Sequence, residues 1–420
     1  MSKIAVVGAG ISGLACAWLL ARRHEVTLFE ANRYLGGHTN TVEVTLEGRT
    51  HPVDTGFLVF NDRTYPRLIR LFEHLGVAST ASEMSFSVRI GDGDLEWAGT
   101  NLAAVFAQPA NLVRPRFLRM LRDVVRFNRE ATRLASEGAP LAGTLGDFLD
   151  EGGYGPELRA LYLLPMAACI WSTPSKHINR FPLRTFVGFC HNHGLLALSN
   201  RPQWRSVAGG GREYVRRLRE GIPDVRLGVA VRQVRRFPGH VVVATDHGPE
   251  SFDEVVLATH TDQSLAMLER ASPEERAVLK AIPYQPNRAV LHTDARLMPR
   301  RKRAWAAWNF HAASEAESDA PVSLSYYLNR LQALPFKQPV VVTMNPVEEP
   351  DPARVIAEFD YHHPAFLESS DTAKHHLGAL QGRHRTWFAG AWTGHGFHED
   401  GLTSAIAVAA SLDAPVPWTA

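Results

Sequence analysis

The sequence predicts an α/β fold in which a parallel sheet is assembled from separated pieces of chain, with an α+β domain interleaved between them. Three observations predict it. The chain opens in the order apolar run, small-residue helix pattern, apolar run. It closes, over residues 386–412, on a second strand–turn–helix pattern. Between the two, helical and strand periodicities occur in separate blocks instead of alternating regularly.

The opening unit reads KIAVVGAGISGLACAWLLARRHEVTLFE. Lys3–Val7 is a strand candidate that meets Gly8, Gly10 and Gly13, with Ala9, Ile11 and Ser12 between them. A helix is expected over Ser12–Arg23 and a second strand over Glu25–Phe29. Strand, glycines and helix together form the dinucleotide-binding fingerprint in the context it requires. Gly8 permits the tight turn, Gly10 lets backbone approach a pyrophosphate, and Gly13 lets helix and strand pack closely. Glu30 ends the second strand 20 residues after Gly10, where a carboxylate binds ribose hydroxyls. Such a carboxylate favours FAD or NAD over NADP.

Beyond Glu30 and Ala31 stand Gly36, Gly37, His38 and Thr39, followed by Thr41. This spacing resembles the extended fingerprint of the flavin-containing amine oxidase and phytoene desaturase superfamily. The resemblance implies a Rossmann-like FAD-binding domain of the glutathione-reductase/amine-oxidase type. In that superfamily the second glycine pair runs beside the FAD pyrophosphate and ribityl chain, usually followed by Arg; here the residue is His38.

The C-terminal pattern agrees. Thr386–Ala389 reads as a strand, Gly390 and Ala391 as the turn, and Leu402–Leu412 as a helix. By resemblance this helix, starting near Gly401, Leu402 and Thr403, points its positive end at the flavin. Ala391 stands where an acid is common, so Asp400 or Glu399 is expected to replace it. Val231 is expected beside the adenine. FAD would be non-covalent, because no cysteine lies in the C-terminal loop.

Over nearly its whole length the chain also resembles bacterial FAD-dependent proteins associated with cyclopropane-fatty-acyl synthases. That likeness rests on Gly36–Thr41, Val53–Asn61, Trp204–Val215 and Phe388–Leu402. It implies a desaturase or oxidase for an unsaturated, methylated or cyclopropane fatty acyl chain, with oxygen or a quinone as electron acceptor. An amine oxidase, a double-bond isomerase and a non-catalytic partner of a lipid methyltransferase remain as alternatives.

Residues 1–60, 200–265 and 382–420 are expected to form the FAD domain. Residues 61–199, mainly helical, and 266–381, sheet-containing, would form the substrate domain. In Val322–Leu328 the alternation sets Val322, Leu324, Tyr326 and Leu328 on one face, which could line a pocket. His395 and His398 flank the expected flavin edge; with Tyr326 they are the candidate catalytic residues. The other histidines lack ligand-spaced partners, and no metal site is expected.

The chain has 420 residues and a formal net charge of +2, with no basic block suited to nucleic acid. Cys16, Cys169 and Cys190 fit buried thiols in a reducing compartment. No run has the ~20 apolar residues needed to span a bilayer. The expected location is the cytoplasm, with peripheral contact to the inner face of the membrane. Arg114–Ala135 carries seven arginines against two acids at helical spacing, a pattern suited to an anionic membrane surface.

Overall fold

The computed structural model describes residues 1–138, 141–171, 178–197, 201–315, 321–366 and 368–418. Its first sheet has five parallel strands in the order Asp224–Leu227, Glu25–Glu30, Lys3–Val7, Glu254–Leu257 and Thr386–Phe388. Both faces are covered, which is why its strands read as unbroken apolar runs. Ile4 and Val6 pack with helix Ile11–Leu20 and the C-terminal helix His398–Ser411. Ala5 and Val7 face the other way. They pack against an antiparallel sheet of Val231–Arg236, Val241–Thr245 and Gly248–Phe252.

A second, seven-stranded sheet runs in the order Val355–Pro364, Tyr284–His292, Val341–Met344, Ser323–Tyr327, Trp308–Ala312, Phe86–Ile90 and Leu95–Ala98. Its last two strands come from the first insertion and the others from the second. Phe86–Ile90 pairs in parallel with Trp308–Ala312, so the two insertions share one sheet. Helices Pro115–Ser136, Leu164–Trp171 and Leu183–Asn192 build a separate core against it through Phe117, Phe127, Ala168 and Phe186.

Most expected elements shift only at their ends. The first helix covers Ile11–Leu20 and stops at Ala21, just before the strand that begins at Glu25. Leu328 leaves its strand to start the helical turn Leu328–Leu331. The larger correction is at the C-terminus: the last helix starts at His398, not Leu402. Gly401, Leu402 and Thr403 therefore lie inside the helix, not at its exposed end.

Candidate functional site

The two glycine motifs meet at the C-terminal edge of the parallel sheet. The Gly8 N–H donates to the Phe29 carbonyl at 2.8 Å. The Gly36 N–H donates to the Ala9 carbonyl at 2.8 Å, and Gly10 bridges Gly36. A Cβ on Gly13 would stand 1.8 Å from the Gly8 carbonyl oxygen, so helix and strand touch at backbone distance. A Cβ on Gly10 would meet nothing within 4 Å; it would project into open cavity. Glu30 is 8% exposed; it accepts the Ala9 N–H at 2.7 Å and the Asn32 N–H at 2.8 Å. A carboxylate has about four acceptor sites, so about two remain for hydroxyls.

These loops open into a cavity of about 1350 Å³. Gly8, Ala9, Gly10, Ile11, Ser12, Glu30, Ala31, Gly36, Gly37, His38 and Val231 line it at one end. Gly390, Ala391, His395, His398 and Tyr326 line it further along. Gly13, Thr39, Asp400, Gly401, Leu402 and Thr403 do not. Gly13 acts through packing, and Gly401 does the same: a Cβ there would lie 2.8 Å from Ser12 Oγ. The Thr39 hydroxyl bonds Tyr214 Oη and, at 2.9 Å, His398 Nε2.

The acids expected to replace the missing one after Gly390 have other work. Asp400 accepts the Phe397 N–H at 2.9 Å, closing the first turn of its own helix. Glu399 accepts the N–H groups of Arg67 and Leu68, both at 2.9 Å. It thereby caps helix Pro66–Leu75, whose first N–H groups have no partner within that helix. Glu399→Ala should lower stability by about 1–2 kcal/mol. A reduced thermal midpoint with unchanged dinucleotide affinity would check the assignment; a lost affinity would refute it.

Burial favours the neutral ring at several histidines of the cavity. Burial, and then the neighbouring rings of His363, His260, His398 and His362, hold the pKa of His38 well below the usual value. Its Nε2 has no hydrogen-bond partner among the described residues, and its ring packs 5.1 Å from Tyr361 and 5.0 Å from His363. His398 stacks on Phe57 at 3.7 Å, and burial lowers its pKa to about 3. Its Nε2 is engaged by Thr39 and, at 3.2 Å, by Tyr214. His395, by contrast, is exposed at the cavity wall.

Past the loops the cavity turns apolar, lined by Trp97, Phe106, Leu121, Val124, Met166 and Ile170. Of the strand face expected to form a pocket wall, only Tyr326 reaches the cavity; Val322, Leu324 and Leu328 are core. His260, Gln263 and Tyr284 also line it, and no motif in the sequence points to them. His260 stacks on Tyr284 at 4.0 Å. The apolar arm draws on helices and strands distant in sequence and carries no local motif. Among the described residues no cluster suited to a metal occurs. All three cysteines are free and buried, and burial raises each thiol pKa.

Fold and site thus define a dinucleotide-binding α/β protein with an added sheet domain. Residues 6–75 match the model of an NAD(P)-binding Rossmann-like domain. Similar solved structures include a CLA-producing fatty acid isomerase from P. acnes, with TM-score 0.68 and 15% identity over 96% of this chain and 97% of that one. Putrescine oxidase bound to putrescine gives TM-score 0.68 and 15% identity over 98% and 99%. Cyclohexylamine oxidase from Brevibacterium oxydans IH-35A gives 0.67 and 16%, also over 98% and 99%. The chain has the fold these proteins share.

Proposed function

We propose that the protein is an FAD-dependent oxidoreductase acting on an aliphatic acyl chain. The observation that carries this reading is the continuity of one cavity from the dinucleotide loops into an apolar arm. At about 1350 Å³ it exceeds the ~300–1,000 Å³ of an ordinary ligand pocket. That leaves room for a dinucleotide and a second molecule. The open space over Gly10 and the unpartnered Nε2 of His38 fit the cofactor's pyrophosphate.

Bound FAD supplies a flavin that accepts a hydride equivalent at N5. The chain supplies position and dryness. Free N–H groups at the start of helix Ile11–Leu20 would hold phosphate, and Glu30 the ribose. The N-terminus of helix His398–Ser411 places its positive end toward Gly390 and Ala391. The apolar arm would hold the acyl chain and exclude water. His395, exposed at the cavity wall, is the candidate for proton transfer, while His398, held by Thr39 and Tyr214, is a positioning residue.

An ammonium substrate finds little support. The carboxylates lining the cavity among the described residues are Glu30, which holds two N–H groups, and Glu83, paired with Arg330 at 2.6 Å. The likeness to a fatty acid isomerase favours a second reading, in which the same apolar arm serves double-bond migration. An anaerobic absorbance spectrum of the FAD-loaded protein tests both. Bleaching of the band near ~450 nm by unsaturated or branched fatty acid, with a product two hydrogens lighter, is expected of the oxidoreductase. A product of unchanged mass without bleaching would mean isomerisation. Bleaching by amines alone, or failure to load FAD, would overturn the acyl reading.

A further inference from the structure

The exposed large apolar side chains are unevenly placed. Leu102, Leu112, Val113, Leu118 and Val125 are exposed by 78, 56, 79, 43 and 46%, all within one short stretch of chain. The remaining ones, such as Leu227, Phe237 and Val347, are scattered singly. Single exposed apolar residues need no explanation, but a cluster marks a surface that meets another apolar phase. This cluster sits at the cavity: Leu102 and Val125 line it, together with Leu121 and Val124 on the same helix.

Helix Pro115–Ser136 organises the surface. Phe117, Met120, Phe127 and Ala131 are buried against the protein. Leu118, Leu121 and Val125 share a second stripe, at intervals of three and four residues. Arg122, Arg126, Arg129 and Arg133 form a third beside it and, with Val125 and Glu130, line a shallow surface groove. Some of this charge is answered locally, since Asp123 lies 3.2 Å from Arg122 and 3.9 Å from Arg126, and Glu137 lies 2.7 Å from Arg133. Arg129 has no carboxylate partner among the described residues, and Arg114 donates to the Asp94 carbonyl.

We infer that this face docks on an anionic phospholipid bilayer, with the cavity mouth between Leu102 and Val125 opening into the acyl layer. An apolar stripe that enters the interface, flanked by arginines at headgroup level, is the arrangement of an interfacial helix. The guanidinium stripe matches the negative surface of acidic lipids. A substrate chain would then slide from the leaflet into the apolar arm without crossing water, which keeps its methylene groups buried throughout. The docking stands on the surface; the route for the chain rests on the acyl-substrate reading above. Among the described residues no helix is long and apolar enough to cross a membrane, so the contact is peripheral.

Flotation of the full chain with phosphatidylcholine vesicles, with and without phosphatidylglycerol, tests the inference. Recovery with the anionic vesicles alone, falling as salt rises, is the expected result. Leu112→Asp/Val113→Asp and Arg129→Gln/Arg133→Gln should each reduce recovery by roughly tenfold. All four positions are exposed and outside the dinucleotide loops, so thermal midpoints should hold. Bleaching by detergent-dispersed fatty acid should also persist. Equal recovery on neutral vesicles, or wild-type recovery of both variants, would overturn the docking. So would a concentration-dependent dimer that Leu112→Asp/Val113→Asp dissociates, which would assign the face to a second copy. Flotation with neither bleaching nor product formation from any lipid would leave the docking and remove the acyl reading; bleaching by dispersed fatty acid without flotation would do the reverse.

Discussion

Gly10→Val should leave the apoprotein as stable as the parent and reduce FAD affinity by at least a hundredfold. Gly13→Val should instead destabilise the apoprotein itself. The two glycines stand in one turn and one motif, yet the space around them differs. A Cβ at Gly10 meets no protein atom within 4 Å, and the residue's φ of −71° suits any L-amino acid. Its isopropyl group would fill the space over the turn where a pyrophosphate must approach. A side chain at Gly13 would overlap the Gly8 carbonyl, with a first contact of 1.8 Å. Helix Ile11–Leu20 would have to move off strand Lys3–Val7, opening a fully buried layer that includes Ile4, Leu14 and Ala17. Overpacking of a tight core costs about 1–3 kcal/mol, more where backbone is the obstacle. Calorimetry of the apoproteins and fluorescence titration with FAD separate the two outcomes. Unchanged FAD affinity in Gly10→Val would mean that no phosphate lies over this turn.

The same contrast between local and tertiary determinants decides how much of the fold and site is legible in the sequence. The dinucleotide turn is legible because Gly8, Gly13 and Glu30 act within one strand–helix–strand unit. The C-terminal helix starts four residues ahead of its expected position because Leu402–Leu412 is only its apolar part and Gly401 looks like a boundary. Gly401 is there for a tertiary reason, the close approach of Ile11 and Ser12. The acids Glu399 and Asp400, suited to a first helical turn, are the sequence signal of the earlier start. Their work as caps depends on which N–H groups the fold brings to them, and that is not local. The long sheet is less legible still. Its pairing of Phe86–Ile90 with Trp308–Ala312 joins segments far apart in the chain, and nothing in either strand names its partner. The apolar arm inherits that difficulty, since Trp97, Leu121 and Met166 converge only after the sheet and its helices are assembled.

Acidification should unfold the protein cooperatively between about pH 6.5 and pH 4, earlier than carboxylate protonation would require. Burial lowers the pKa of His193, His260, His292 and His363 to about 4 and that of His398 to about 3. Each ring is neutral in the folded chain but takes up a proton near pH 6.5 once unfolded. Through this window the unfolded state binds more protons, so stability falls as pH falls. Even a tenfold preference for the neutral ring at these five sites is worth ~1.4 kcal/mol apiece, about 7 kcal/mol together. That is comparable to the ~5–15 kcal/mol that holds a typical native state. Asp54 works in the opposite direction. Burial raises its pKa to about 6 against the bonds from Thr41 and Gly211, so the folded state gains its proton first. The compensation is ~3 kcal/mol, and Glu399 and Asp400, whose pKa values burial also raises, act in the same direction. The histidine contribution is the larger of the two, so the net effect of acid is destabilising. His292 offers a clean check, because it lies outside the cavity lining, bonded at 2.8 Å to Thr343 Oγ1 and at 3.0 Å to the Asp294 N–H. His292→Gln keeps a hydrogen-bonding terminus and cannot titrate, so its acid midpoint, followed by circular dichroism, should move to lower pH. A parent midpoint already below pH 4, unmoved by His292→Gln, would mean that these rings are not held neutral by burial and that the carboxylates set the acid limit.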